Sequence, residues 1–332
     1  METDTVNVLV STPIGEELLN RIAAISPRVK VQDIWELSRA DFRGDSSAKD
    51  ELDIMLADAE IVYGIRLPKD LIARAPELKW VQVMSAGVDR FLDSDFRRST
   101  VTLTNVSGIH AAPISEFIME QMLMFAKNAL LCFELKQKKQ WQRYSPSTLR
   151  GKTVGIVGLG HIGREVARLS KAFGMRVIAT RRSTPRTQHA RNVDLMLPRQ
   201  ELPRLLAKSD YVVITLPYTR ETDKLFGETE LRSMKSSAYL INIGRGGIID
   251  EDALVRALSE KWIAGAGLDV FATEPLPPES KLWELPNLLF SPHVSGDMED
   301  YITRTTEVFC NNLRRYLEGK RLLNVVDKQK GY

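Results

Sequence analysis

Short strand-like runs and segments with apolar residues at helical spacing alternate along the whole chain. The strand-like runs fall at residues 7–10, 29–31, 61–63, 80–83, 101–105, 154–157, 175–180, 211–216, 238–243, 264–270 and 288–290. Most are short and apolar, as strands buried on both faces are. Helical patterns fall between them, at 16–25, 50–57, 68–75, 202–207, 251–259 and 297–317. Such alternation predicts parallel sheets with helices on their faces. The run at 264–270 has so little side-chain bulk that a neighbour is expected to pack close to it. One long helix is predicted from Ile114 to about Gln140, opened by Pro113, with Glu116 and Glu120 near its start. Its apolar residues, among them Phe117, Ile118, Met122, Phe125 and Phe133, cover much of its circumference. It is therefore expected to lie in a core or against another subunit. Trp141 and Tyr144 follow in a basic, irregular segment. Residues 183–191 are expected to be a loop, and 327–332 a frayed tail.

One stretch breaks the pattern in a way that carries chemistry. Val154 to Val157 runs into Gly158, Gly160 and Gly163, spaced G-x-G-x-x-G, and then into a helix with apolar residues at 162, 166, 169 and 173. Gly158 permits the tight turn, Gly160 lets backbone approach a pyrophosphate, and Gly163 lets helix pack on strand. The first N–H groups of that helix and its positive dipole end face the phosphate. A Rossmann domain carries this motif on its first strand. Here it follows five earlier strand-like runs, so the first hundred or so residues form a separate domain.

Composition changes this picture little. A chain of 332 residues has room for about two domains. Its 43% hydrophobic and 27% charged residues are ordinary for a globular protein. A net charge of +3 is too small to argue for nucleic acid. Cys132 and Cys310 have no C-x-x-C spacing, which gives no disulfide framework and no metal site. Both are expected to pack as small apolar groups. No signal peptide opens the chain and no apolar run reaches the length of a membrane span. A cytoplasmic location, with no membrane partner, is the expectation.

The cofactor's second phosphate is addressed at the end of the strand after the motif. An NAD protein places Asp or Glu there to hold the ribose hydroxyls. This chain has Thr180, Arg181, Arg182 and Ser183, and no acid. Paired guanidinium groups suit a dianionic 2′-phosphate. NADP(H) is expected in preference to NAD(H).

Arg245, Glu274 and His293 each lie beyond the end of a predicted strand, where open α/β sheets bind their ligands. An arginine fork suits a carboxylate or polarised carbonyl. A histidine exchanges protons near neutral pH, and a carboxylate beside it favours the imidazolium. That is equipment for reducing a 2-oxo acid with hydride from a nicotinamide. On spacing alone the arginine is equally a turn cap, the glutamate a loop acid and the histidine a structural one.

These residues resemble the D-specific 2-hydroxyacid dehydrogenases, the family of glyoxylate/hydroxypyruvate reductases, D-lactate and phosphoglycerate dehydrogenases. The resemblance spans nearly the whole chain. It rests on Ser85-Ala86-Gly87-Val88-Asp89, the glycine motif, Leu216-Pro217-Tyr218-Thr219, Asn242-Ile243-Gly244-Arg245-Gly246, Gly267-Leu268-Asp269-Val270-Phe271, Glu274-Pro275-Leu276-Pro277 and Ser291-Pro292-His293-Val294-Ser295-Gly296. It implies that Arg245 binds substrate, His293 is the acid/base and Glu274 its partner. It implies that Asp269 bonds the nicotinamide carboxamide. It places the substrate carboxylate at Ser85 and the backbone N–H groups of Ala86 and Gly87, and offers the pyrophosphate the N–H groups of His161 and Ile162. Further cofactor contacts follow at Leu216, Pro217, Thr222, Ile243, Gly244 and Gly296. No role follows for His110 or His189. The implied fold is α/β, with two doubly wound parallel-sheet domains. A Rossmann cofactor domain at 104–293, with a dimerisation helix and arm at about 113–150, is inserted into a flavodoxin-like substrate domain at 1–103 and 294–332. The implied active site lies in the cleft, and the implied assembly is an isologous homodimer.

Two positions depart from the family pattern. Thr215 stands where histidine is common before Leu-Pro, and Arg181 stands where the acid is usual. The chain ends soon after its last helix, so no appended regulatory domain is expected. A dinucleotide-sensing corepressor of the same fold is the competing reading, and a phosphite- or formate-type dehydrogenase a more distant one. Ile65, Arg66, Met84, Tyr218, Met298 and a partner chain's Trp141 are candidates for the substrate wall; they do not select one 2-oxo acid. The charge pattern at 180–183 predicts a higher kcat/KM with NADPH than with NADH. Arg181→Asp lowers that ratio by roughly tenfold or more, the scale of one lost charge-assisted contact; steady-state kinetics with both cofactors measure it.

Overall fold

The structure is a computed structural model that describes residues 5–182 and 184–331. Its contacts divide the chain into two units, Met1–Ile109 with Met298–Tyr332, and His110–Asp297. The first unit opens with β1 (Val6–Val10), α1 (Glu16–Ala23), β2 (Val29–Asp33), α2 (Trp35–Phe42) and α3 (Ser46–Ala57). It continues with β3 (Ile61–Gly64), α4 (Leu71–Arg74), β4 (Trp80–Val83), α5 (Ser94–Arg98) and β5 (Thr102–Thr104). All five strands are parallel, in the order β2-β1-β3-β4-β5. This is the flavodoxin-like winding. Asp45 and Asp93 start α3 and α5 by accepting from the backbone N–H groups two and three residues on. Helix α2 was not legible in the sequence, because only Ser38 and Asp41 of its residues are buried and no apolar stripe marks it.

The C-terminal helix (Tyr301–Leu317) belongs to this first unit. Phe309 stacks on Tyr63 at 4.2 Å and on Trp80 at 5.2 Å between ring centroids. The Tyr63 hydroxyl meets Thr305 and Thr306, and burial pushes its phenol far above the usual range. Asn312 donates to Gln82 at 2.9 Å. The expected frayed tail is instead anchored at Lys328. Val326 N–H donates to the Leu103 carbonyl at 2.9 Å, and Lys328 Nζ donates to the carbonyls of Phe96 and Ser99 at 3.2 and 2.8 Å. A lysine aimed at a helix C-terminus interacts favourably with its last carbonyls, a contact that composition does not reveal.

The second unit runs α6 (Ala111–Ala126), α7 (Ala129–Gln137), β6 (Thr153–Val157), α8 (His161–Ala172), β7 (Arg176–Thr180), β8 (Gln188–Ala190) and β9 (Val193–Leu197). There follow α9 (Leu202–Lys208), β10 (Tyr211–Ile214), α10 (Glu228–Ser233), β11 (Tyr239–Asn242), α11 (Glu251–Ser259), β12 (Gly265–Leu268) and β13 (Leu288–Phe290). The helix at Tyr301–Leu317 is then α12. The sheet order is β13-β12-β11-β10-β6-β7-β9-β8, parallel except that β8 runs antiparallel to β9. Strand order reverses between β6 and β10, which is the Rossmann switch point. Residues 183–191 are thus not all loop: the polar edge strand β8 has no apolar alternation to betray it.

The single long helix expected from 114 to 140 is two helices. Asn128 takes a left-handed conformation (φ 54°) and separates α6 from α7. Helix α6 buries Ile114, Ile118, Met122 and Phe125. Its Gln121 lies against Gly267 of β12, the neighbour that the bare strand admits. Beyond the break the chain turns outward, with Phe133 54% and Trp141 99% exposed. Cys132 is exposed with them, contrary to its expected packing, whereas Cys310 is buried. Phe173, expected on the buried face of α8, lies past that helix's last residue and is exposed. Among the described residues no helix is long and apolar enough to cross a membrane.

The Tyr63–Phe309–Trp80 stack joins α12 to its sheet, so Phe309→Ala is expected to lower stability by about 3–5 kcal/mol. A shift of the urea midpoint at unchanged slope measures it.

Candidate active site

At the switch point, β6 ends at Val157 and Gly158 turns the chain with φ +106°. A Cβ on Gly163 would stand 2.2 Å from the Gly158 carbonyl oxygen, so only glycine lets α8 start this close to the turn. The carbonyl is itself held by the Thr215 hydroxyl at 2.5 Å. Thr215 therefore shapes this glycine turn. Gly160 caps α8 with open space where a side chain would stand and no side-chain hydrogen bond. The N–H groups of His161 and Ile162 open that helix. Arg181 and Arg182 follow β7 directly, and both are exposed. Ser183, the third residue expected at this phosphate, lies outside the described residues. Leu216 and Pro217 follow β10, the strand beside β6. Thr222 is buried, with its hydroxyl accepting from Thr219 N–H and donating to the Pro217 carbonyl, both at 2.8 Å.

Arg245, Glu274 and His293 follow the C-terminal ends of β11, β12 and β13, three adjacent parallel strands. At the end of β11, Asn242 folds its side chain over the loop. Its Oδ1 accepts from Gly244 N–H and its Nδ2 donates to the Arg245 carbonyl, each at 3.0 Å. The Arg245 guanidinium donates to the Gly244 carbonyl at 2.8 Å. A Cβ on Gly246 would lie 1.8 Å from the Phe271 carbonyl carbon, so the loops after β11 and β12 touch backbone to backbone. Glu274 then bridges: Oε1 accepts from Phe271 N–H at 2.9 Å, and Oε2 meets His293 Nδ1 at 2.7 Å. His293 sits in the left-handed region (φ 58°), its side chain 47% exposed.

Asp269 is 1% exposed. One of its oxygens accepts from Ser291 Oγ at 2.6 Å, Val294 N–H at 2.9 Å and Ser295 N–H at 3.1 Å. The other accepts from the Ser295 hydroxyl. Its carboxylate thus holds the segment that carries His293. Gly296 lies against the His110 ring. Burial pushes that imidazole below its ordinary range, with the Asp297 carboxylate opposing. Asn242, Thr215 and Ser295 hold these loops through hydrogen bonds to which the sequence assigned no part; each lies within or beside a glycine- or proline-bearing motif, which was the available signal.

In the first unit the loop after β4 holds Ser85, Ala86 and Gly87, all half-buried. The Ser85 hydroxyl donates to the Gly87 carbonyl at 2.7 Å. Among the described residues, the backbone N–H groups of Ser85, Ala86, Gly87 and Val88 find no acceptor. A run of unpaired N–H groups is a binding element for an anion.

A sequence model of the D-isomer specific 2-hydroxyacid dehydrogenase NAD binding domain matches residues 119–295. The chain belongs to this family. Membership makes it an NAD(P)-dependent oxidoreductase acting on 2-hydroxy acids. Its relatives include a glyoxylate reductase of Aeropyrum pernix, 36% identical over 82% of this chain and 84% of that one. A glyoxylate/hydroxypyruvate reductase B of Pectobacterium carotovorum is also 36% identical, over 82% and 87%. Among solved structures it resembles an NADPH-dependent glyoxylate/hydroxypyruvate reductase of Sinorhizobium meliloti, determined with NADP and sulfate. That match has a TM-score of 0.82 at 29% identity, covering 99% of this chain and 100% of that one.

Because Glu274 touches both Phe271 N–H and His293, Glu274→Gln keeps the shape and loses the charge. It is expected to lower kcat/KM for a 2-oxo acid by about 10²-fold or more, with the dissociation constant for NADPH unchanged; steady-state kinetics and cofactor titration separate the two.

Proposed function

We propose that the chain is an NADPH-preferring reductase of small 2-oxo acids, of the glyoxylate and hydroxypyruvate class for which its relatives are named. The observation that carries this reading is the 2.7 Å contact between His293 Nδ1 and Glu274 Oε2 on an exposed histidine. With Nδ1 given to the carboxylate, Nε2 is the ring nitrogen left to hold the proton for a carbonyl oxygen. Arg245, beyond the end of β11, binds the carboxylate or polarises the carbonyl through its planar fork. The N–H groups of Ala86 and Gly87 hold the substrate carboxylate. The nicotinamide cofactor, when bound, supplies the hydride.

The residues present fit that cofactor. Gly160 leaves room for backbone to approach a pyrophosphate, and the start of α8 offers N–H groups to it. Arg181 and Arg182 suit the 2′-phosphate of NADP. Asp269 accepts from the segment 291–295 and so holds His293 in place, and its carboxylate would also bond the nicotinamide carboxamide. The exposed Phe133 and Trp141 supply an apolar surface for the second copy of a homodimer.

The experiment is oxidation of NADPH against a panel of 2-oxo acids, with the parent protein and with His293→Ala. The expected outcome is turnover by the parent and a fall in kcat of about 10²–10⁴-fold in the variant, the range for loss of a general acid. Tight NADPH binding without turnover of any panel member would overturn the reductase reading in favour of the dinucleotide-sensing one.

A further inference from the structure

Four consecutive carbonyl groups in the loop after β4 are each tied to a donor within the first unit. The Met84 carbonyl accepts from the Tyr301 hydroxyl at the start of α12. The Ser85 carbonyl accepts from Val106 N–H at 3.3 Å, and the Ala86 carbonyl from Asn105 Nδ2 at 2.7 Å. The Gly87 carbonyl accepts from its own loop, through the Ser85 hydroxyl at 2.7 Å. In a trans peptide the C=O and the following N–H point in opposite directions. Each tie therefore turns one N–H away from its anchor.

Two of these ties come from one place. Asn105 and Val106 are consecutive residues at the end of β5, so the Ser85 and Ala86 carbonyls both aim at that segment. The N–H groups of Ala86 and Gly87 consequently aim the same way, away from β5. The result is a matched pair of donors with no partner among the described residues. Two parallel N–H groups fit the two oxygens, or one shared oxygen, of a carboxylate.

Asn105 cannot swing out of this role, because every polar group it owns is occupied. It is 6% exposed. Its Oδ1 accepts from Ser107 N–H at 3.0 Å, its N–H donates to the Asn324 carbonyl at 3.2 Å, and its carbonyl accepts from Asn324 Nδ2 at 3.3 Å. Asn324 Nδ2 also donates to the Ser107 carbonyl at 3.0 Å, from the segment that follows α12.

We propose that Asn105 and Tyr301 are positioning residues for substrate: Asn105, through the Ala86 carbonyl, sets the direction of the Gly87 N–H that binds the 2-oxo acid's carboxylate, and Tyr301, through the Met84 carbonyl, fixes the peptide that leads into that loop. This inference rests on the reductase reading above. It assigns the two side chains to affinity for the acid, and neither to hydride transfer nor to cofactor binding.

Asn105→Asp is the sharpest variant. It is isosteric and keeps the acceptor for Ser107 N–H, but its carboxylate has no donor for the Ala86 carbonyl. Tyr301→Phe deletes a single hydroxyl and keeps the ring, and serves should the first variant fail to fold. The readouts are KM and kcat for glyoxylate, the dissociation constant of oxamate (a 2-oxo acid isostere) with NADPH present, and that of NADPH alone. Asn105→Asp is expected to raise KM and the oxamate constant together by about 10–100-fold, the range for a hydrogen bond to a charged group. Tyr301→Phe is expected to raise both by a few-fold, the value of a neutral hydrogen bond. In both variants kcat stays within about threefold, and NADPH binding stays unchanged. An active parent whose variants keep KM and oxamate binding within twofold overturns the inference. Equal losses in kcat and NADPH affinity also overturn it, because they mark a merely structural role. A parent inactive with every 2-oxo acid instead overturns the reductase reading itself, and this inference falls with it.

Discussion

The buried carboxylate of Asp269 is the constraint on which the reactive end of the second unit depends. A carboxylate out of water is costly unless its oxygens are hydrogen-bonded. Here the donors are Ser291 Oγ, Val294 N–H and both donors of Ser295, all from the segment that carries His293. Satisfying the charge and placing the histidine are therefore the same event. That segment holds His293 at φ 58°, a conformation uncommon for a residue with a side chain. The ring then meets Glu274, which is fixed in turn by Phe271 N–H. Gly246 brings the Arg245 loop onto the same backbone. Arginine, glutamate and histidine, far apart in the chain, become neighbours through the ends of three parallel strands.

The dinucleotide end obeys a different rule. At the switch point backbone N–H groups open the helix, and side chains contribute by their absence or by shaping the turn. Gly163 and Gly160 clear space, and Thr215 holds the turn through the Gly158 carbonyl. Net charge enters only after β7, where two exposed arginines stand in place of the family's usual acid. The arginines after β7 and the side chains beyond β11 to β13 thus stand on different strands.

The first unit exposes backbone donors in a similar manner. Its loop after β4 directs carbonyls onto Tyr301, Val106 and Asn105, which leaves its N–H groups without an acceptor among the described residues. The anchors come from the end of β5 and from α12, and the segment beyond α12 locks them through Asn324. This gives the returning C-terminal segment a task besides filling the core with Phe309: without it the loop's peptide planes have fewer fixed directions.

Much of this was legible in the sequence. Parallel-strand runs are apolar because both faces are buried, so β1, β3, β4, β6, β10 and β11 could be placed by pattern. Arg245, Glu274 and His293 could be named as candidates from where they follow those strands, and motif resemblance made them a set. The cofactor preference was read at Arg181 because a missing acid is a local fact. What failed was whatever lacked a period or depended on distant partners. The polar edge strand β8, the featureless α2, the break at Asn128 and the anchored tail at Lys328 belong here. Asn105 belongs here too, for it reads as the last residue of a strand until Ala86 and Asn324 are brought to it. Residue type and spacing determine which segments bury which faces, because that follows from local chemistry. Only the tertiary structure decides which carbonyl each side chain reaches, because that depends on elements hundreds of residues apart arriving at hydrogen-bond distance.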